Sequence, residues 1–326
     1  MSSMAEPVAI RALRPEELDD WLDFVHRVFG VAREYFARHW GCDPWRNLES
    51  IRVAVHGGRI VATLRIFHRT IYLGGVPVSI GGIGEVSTDP DYRRQGLSGL
   101  LLEDACRRMA ELGMAVSVLF AGRQGHYTRH GWAPVPIPFG VTELKVRTDL
   151  LGNLTSATFD GLAVNPVSPA DAPDLAALYG ACASGLNGTL VRDHPGYWWD
   201  WLPAEWPEVW VARAGDRPVG YLAGKWLSLW DLRVEEFVAA PSEAGALLKA
   251  ITAGILRGRR EGGGPLHVHY PLAAAPALAL TRRYNVDGPM YKVIRPDLLP
   301  PAAAGALDEL LGGEVDRHVI WQADWF

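Results

Sequence analysis

A chain of 326 residues, 48% hydrophobic and 21% charged, has a globular composition and exceeds the size at which one hydrophobic core usually stops growing, so two domains are expected. A net charge of −5 argues against a nucleic-acid partner, no run of about 18 apolar residues suits a membrane span, and the first residues lack a basic-then-apolar leader. The expectation is a cytoplasmic protein with neither a nucleic-acid nor a membrane partner; Cys42, Cys106 and Cys182, odd in number and far apart, read as buried thiols. Residues 8–18 predict a strand followed by a helix opened by Pro15, and residues 51–62 predict a hairpin turned at Gly57 and Gly58.

Residues 85–101 carry the most information. An apolar, β-prone stretch containing Val86, Ser87 and Thr88 ends at Asp89-Pro90, crosses a loop with Arg93, Arg94, Gln95 and Gly96, and enters an amphipathic helix at Leu97, Ser98 and Gly99. The first backbone N–H groups of a helix have no intrahelical partner, and the helix dipole adds partial positive charge there, so the turn suits a phosphate. At Gly96 the absent Cβ lets a diphosphate approach the backbone. The Gly-Lys-Ser/Thr of a phosphate loop is absent, and so are the further glycines of a dinucleotide fold. A strand at 115–120 and a short helix around Tyr127 follow.

The second half repeats this order at an offset of about 150 residues: strand and Pro-started helix at 162–171, hairpin at 209–220, strand and turn at 236–248. Its loop carries Pro241, Ser242, Glu243 and Ala244 in place of the arginines and glycine, and an acidic residue repels a diphosphate. One diphosphate site per chain is expected, in the first half. His267 and His269 point to one face of a strand with no third ligand in the pattern, so no metal site is expected. The tryptophans 198, 199, 201, 206 and 210 read as a domain-interface core, and residues 257–264 as a helix end and loop. Residues 319–326 are nearly as apolar as a core strand, and a tail of that kind is expected to dock.

The strand, the proline, the run Arg93-x-x-Gly96-x-Ser98 and the helix resemble the acetyl-CoA signature of the GNAT N-acetyltransferases, with Ser98 where Gly or Ala is usual. The run Tyr127-x-Arg129-x-Gly131-Trp132 looks like a segment of the enhanced-intracellular-survival (Eis) acetyltransferases, over roughly residues 5–295. The resemblance implies an α/β fold with α+β mixed sheets. It implies two tandem GNAT-like domains, a catalytic one at 1–150 and a degenerate one at 151–296, with a short C-terminal tail at 297–326 docking toward the first domain. Only about 30 residues follow Ile294, too few for that family's sterol-carrier-like third domain of about 100.

The same resemblance implies acetyl-CoA as co-substrate, no metal, a small-molecule amine acceptor, and residues Val86 to Thr88 and Arg93 to Gly99 as the cofactor site. Tyr35, Phe36, Trp40 and Trp45 fall where GNATs shape the acceptor pocket. In the implied mechanism the backbone N–H of Val86 or its neighbour polarises the thioester carbonyl, and Tyr127, a phenol of pKa about 10, protonates the leaving thiolate. The base candidates are the terminal carboxylate of Phe326, which the Eis likeness favours, Glu85, which the plain GNAT pattern favours, and His126. Aminoglycoside-like and biosynthetic amines are both open as acceptors, as is homo-oligomerisation. The alternatives are a non-catalytic acyl-CoA-binding module or use of a different acyl-CoA donor.

Overall fold

The computed structural model describes residues 7–145, 157–159, 162–202, 209–228, 230–239, 247–248, 265–275, 280–321 and 324. Within these, chain order is β1 (Ala9–Ala12), α1 (Leu18–Phe29), α2 (Arg33–Cys42), β2 (Ile51–His56), β3 (Arg59–Leu73), β4 (Val76–Thr88), α3 (Leu97–Glu111), β5 (Val116–Leu119), α4 (Gln124–Thr128), β6 (Ala133–Pro134) and β7 (Ile137–Lys145). There follow β8 (Ala157–Phe159), β9 (Leu162–Pro166), α5 (Ala172–Ala183), β10 (Val209–Ala214), β11 (Arg217–Trp226), β12 (Asp231–Ala239), β13 (Pro265–Pro271), β14 (Arg282–Val286), β15 (Met290–Val293) and α6 (Pro301–Leu311). The second-half loop at 241–244, the run 257–264, Trp206 and Phe326 lie outside the described residues. Among the described residues no helix is long and apolar enough to cross a membrane.

The strands form two mixed sheets, one in the order β1-β2-β3-β4-β5-β15-β6 and one in the order β14-β7-β13-β12-β11-β10-β9-β8. The fold is therefore the mixed α/β arrangement read from the sequence, with an additional feature. Each sheet holds a strand from the other half of the chain: β7 pairs with β13 and β14, and β15 pairs with β5 and β6. The crossing is tight, since a Cβ on Gly288 would stand 2.1 Å from the Val135 carbonyl oxygen. One hydrophobic cluster then spans both halves, joining Phe67, Ile71 and Val118 to Tyr179, Trp198, Trp201, Tyr291 and Trp321.

Two polar features fix the second half. His267 and His269 both turn toward Asp231, at 3.6 and 3.3 Å, and Tyr284 bonds the other nitrogen of His269. Deeper in, Arg192 is fully buried, meets Glu236 of β12 with two bonds of 2.8 and 2.6 Å, and meets Asp324 of the tail at 3.2 and 3.0 Å. The Tyr221 hydroxyl donates to Glu236 and the Tyr197 hydroxyl to Asp324. Val319, Ile320 and Trp321 are buried alongside, so the described part of the tail docks against this node.

Truncating one partner of a buried charge cluster leaves the others uncompensated. Arg192→Ala strands two buried carboxylates and is expected to lower stability by about 3–5 kcal/mol, read by urea denaturation. A loss under about 1 kcal/mol would show that the node does not hold the tail in place.

Candidate functional site

The site begins as an irregularity between β3 and β4. Thr63 pairs with Ser87 and Arg65 with Gly84, so Leu64 alone faces Glu85 and Val86. Glu85 absorbs this bulge with φ 55, a left-handed conformation costing a non-glycine residue about 1–2 kcal/mol. On its other side β4 pairs in parallel with β5 only from Ile80 to Ile83. The last stretch of β4 therefore splays from β5 and leaves an edge at Val86–Thr88.

The chain then turns into α3. Asp89 accepts from the Asp91 N–H at 3.1 Å, the Arg93 side chain bonds the Thr88 carbonyl at 3.3 Å, and Arg94 and Gly96 take φ 62 and 81. Gly96 is the N-cap, with no side-chain cap and no acidic residue in the first turn, so the leading N–H groups of a 15-residue helix stay available to an anion. Val86 to Thr88 and Arg93 to Gly99 all line one cleft of about 1160 Å³, closed by Val28 and Phe29 of α1 and by Arg123, His126, Arg129 and His130. Of the charged residues in its lining only Glu103 is acidic, a field suited to a polyanionic ligand.

Behind the cleft lies a buried charge cluster. Asp43 takes Arg65 at 2.5 Å and Arg69 at 3.0 Å. Burial opposes its ionisation, but Arg69 and Arg65 together hold its carboxyl below the usual range. Glu85 Oε1 stands 3.7 Å from Arg65 Nη1 and 4.0 Å from His39 Nδ1, and neither Glu85 oxygen accepts a hydrogen bond. Burial pushes Glu85 up to about 7 against the pull of Arg65, with the nearby Asp43 adding to the rise. His39 is pushed down to about 3, first by burial and then by Arg65 and Arg69.

The four acceptor-side aromatics read from the sequence do not form one wall. Tyr35 is exposed and stacks on His39 at 5.2 Å, while Phe36 is buried in the core of α1 and α2. Trp40 and Trp45 cover Arg65 and Arg69, each at 4.9 Å between guanidinium carbon and ring centre. Sequence reasoning missed His39, Asp43, Arg65 and Arg69, and it read the second-half Trp201, whose ring centre is 4.5 Å from that of His39, as interface core. The available signal was two arginines in a β3 segment that otherwise reads as apolar. Tyr127 sits on α4 with its ring 5.0 Å from His126 and 6.4 Å from Trp132, half-buried, and burial raises its phenol above 10. Phe326 has no described position. Among the described residues no three His, Cys, Asp or Glu side chains are placed to hold a metal ion.

A splayed strand, a glycine-capped helix and a basic cleft thus meet on one mixed sheet. Residues 9–135 match the acetyltransferase (GNAT) domain family. The chain is 28% identical over 145 residues to N-acetyltransferase Eis of Mycobacterium tuberculosis, covering 44% of this chain and 35% of that protein. It thus spans about a third of the length of the curated relatives it matches. Among solved structures it resembles a GCN5-related N-acetyltransferase from Kribbella flavida, with TM-score 0.65 and 24% identity over 94% of this chain and 75% of that one. It also resembles Eis1 from Mycobacterium abscessus, with TM-score 0.58 and 17% identity over 88% and 74%. At these identities the two structures establish the fold.

Gly96→Glu places a carboxylate where an anion would lie and strains the left-handed N-cap. Calorimetry is expected to find no measurable coenzyme A binding, at a stability cost of about 1–2 kcal/mol. Unchanged affinity would remove the diphosphate from this turn.

Proposed function

We propose that the chain is an acetyl-CoA-dependent N-acetyltransferase acting on a primary amine of a small molecule by direct attack. The observation that carries this reading is the β4 bulge, which sets a buried carboxylate without hydrogen-bond partners, Glu85, directly beside the strand edge that leads into the anion-binding turn. In this proposal the diphosphate rests on the N–H groups that follow Gly96, with Arg93 and Arg94 as countercharges. The thioester carbonyl lies at the Val86 N–H, whose donor stabilises the oxyanion that develops during attack. The acceptor enters from the side of Tyr35, Trp40 and Trp45.

Glu85 takes the proton from the acceptor ammonium, directly or through a water. The freed amine forms the N–C bond as the C–S bond breaks, the departing thiolate collects a proton from Tyr127, and the second proton shed by the new amide nitrogen restores the phenol, directly or through water. In this proposal Glu85 carries the base role. Domain limits of 1–150 and 151–296, with a tail at 297–326, are part of the same proposal, with the second domain degenerate as a catalyst.

Tyr127→Phe keeps the ring's packing and removes the proton. Its kcat is expected to fall about 10²–10⁴-fold with acetyl-CoA affinity within about threefold, separated by steady-state kinetics and calorimetry. Wild-type turnover would leave Tyr127 a packing residue only.

Glu85 works as a base only when ionised, and its carboxyl is raised to about 7. With an acceptor amine titrating well away from that value, kcat/KM is expected to drop about tenfold per pH unit below 7 and to level off above it. In Glu85→Gln that acid limb should vanish along with most of the activity. An unchanged limb in the variant would assign the base elsewhere.

A further inference from the structure

Ser98 occupies the position of the turn motif where the likeness calls for a residue without a hydroxyl, and its side chain is engaged. Ser98 Oγ and His126 Nε2 lie 2.8 Å apart in a hydrogen bond between the first turn of α3 and α4. One residue on, a Cβ at Gly99 would stand 3.0 Å from His130 Cε1, so the missing side chain lets His130 lie against the same turn. His130 lies just beyond α4, with its ring centre 5.4 Å from that of His126. The turn that would hold the diphosphate and the segment that carries Tyr127 are in direct contact at two successive positions.

That contact matters because α4 cannot orient itself. It has five residues and no side-chain cap, far short of the length at which a helix persists alone. Its direction comes from what it touches: Ser98 on His126, the Gly99 gap around His130, and Lys292 Nζ on the His130 carbonyl at 2.7 Å. Tyr127 follows His126 directly and rests its ring edge on that imidazole at 5.0 Å. Burial, then His130 and Arg129, depress the His126 pKa, which favours the neutral imidazole.

We propose that Ser98 and His126 are positioning residues that tie α4 to the diphosphate-binding turn, so that one hydrogen bond holds the Tyr127 hydroxyl in line with the turn that seats the acyl donor. The inference rests on the reading of the cleft as an acyl-CoA site and of Tyr127 as the proton donor. Neither side chain enters the chemistry; both act through Tyr127. A Gly or Ala at position 98 would leave α4 bound to α3 by packing alone.

The test is a double-mutant cycle in the full chain, with acetyl-CoA affinity by calorimetry and kcat with a saturating amine. Ser98→Ala and His126→Phe are each expected to lower kcat about tenfold with affinity within about threefold, and the double variant should lose no more than either single one. His126→Gln retains a hydrogen-bonding side chain for Ser98 and should recover kcat to within about threefold of wild type. In a Tyr127→Phe background Ser98→Ala should have no further effect, because the group it positions is gone. Equal losses in both backgrounds, or full kcat in Ser98→Ala, would overturn the coupling while leaving the acetyltransferase reading intact. Wild-type turnover in Tyr127→Phe alone, or no acetyl-CoA binding by the unmodified chain, would overturn the underlying reading and the coupling with it.

Discussion

Everything in the first-half site depends on one extra residue in β4. Because Leu64 faces both Glu85 and Val86, the strand cannot keep its register, and it turns away from β5 just where the parallel pairing ends. The bulge separates two environments across a single peptide: Val86 to Thr88 open on a solvated, basic cleft, and the Glu85 carboxyl lies buried among Asp43, Arg65 and His39. The strain held at φ 55 is maintained by pairing on both sides of the irregularity, as expected for a sparsely populated backbone conformation at a working site.

The two halves use the same device to opposite ends. In β12 the register also slips opposite β11, and Glu236 stands beside that slip much as Glu85 does in β4. There the carboxylate is saturated by two bonds from Arg192 and one from the Tyr221 hydroxyl, and Asp324 of the tail closes the far side of the guanidinium. In the first half Arg65 and Arg69 are committed to Asp43 instead, which leaves Glu85 within Coulombic reach of a cation but without a hydrogen bond. Burial raises both carboxyls, but a bidentate guanidinium and a tyrosine hydroxyl occupy the oxygens of Glu236, whereas those of Glu85 accept no hydrogen bond. The difference leaves one carboxylate with its oxygens open and the other fastening the chain.

The exchanged strands make the second half a brace for the first. β15 lies between β5 and β6, Met290 packs into the core beneath α3, and Lys292 reaches both the His130 carbonyl and the face of Trp132. Trp132 in turn donates to Ser117 of β5 at 3.2 Å. The segment that carries Tyr127 is thus held by residues more than 150 positions away, and Trp201 of the second half lies over His39 beside the charge cluster.

What was legible in the sequence was local. The strand-to-helix passage from Val86 to Gly99, the need for glycine at position 96, the hairpins and the Pro-started helices follow from backbone preferences and hydrophobic period, which act over a few residues. The tertiary structure decided the rest. That Phe36 turns into a core while Trp40 and Trp45 cover arginines, that β7 and β15 trade sheets, and that Glu85 lacks a hydrogen-bond partner where Glu236 has several are outcomes of which distant groups meet. No periodicity records such meetings. A charge buried in a strand reads as an anomaly until its partner arrives from another element, and Asp43 reaches Arg65 and Arg69 only through the packing of α2 against the sheet.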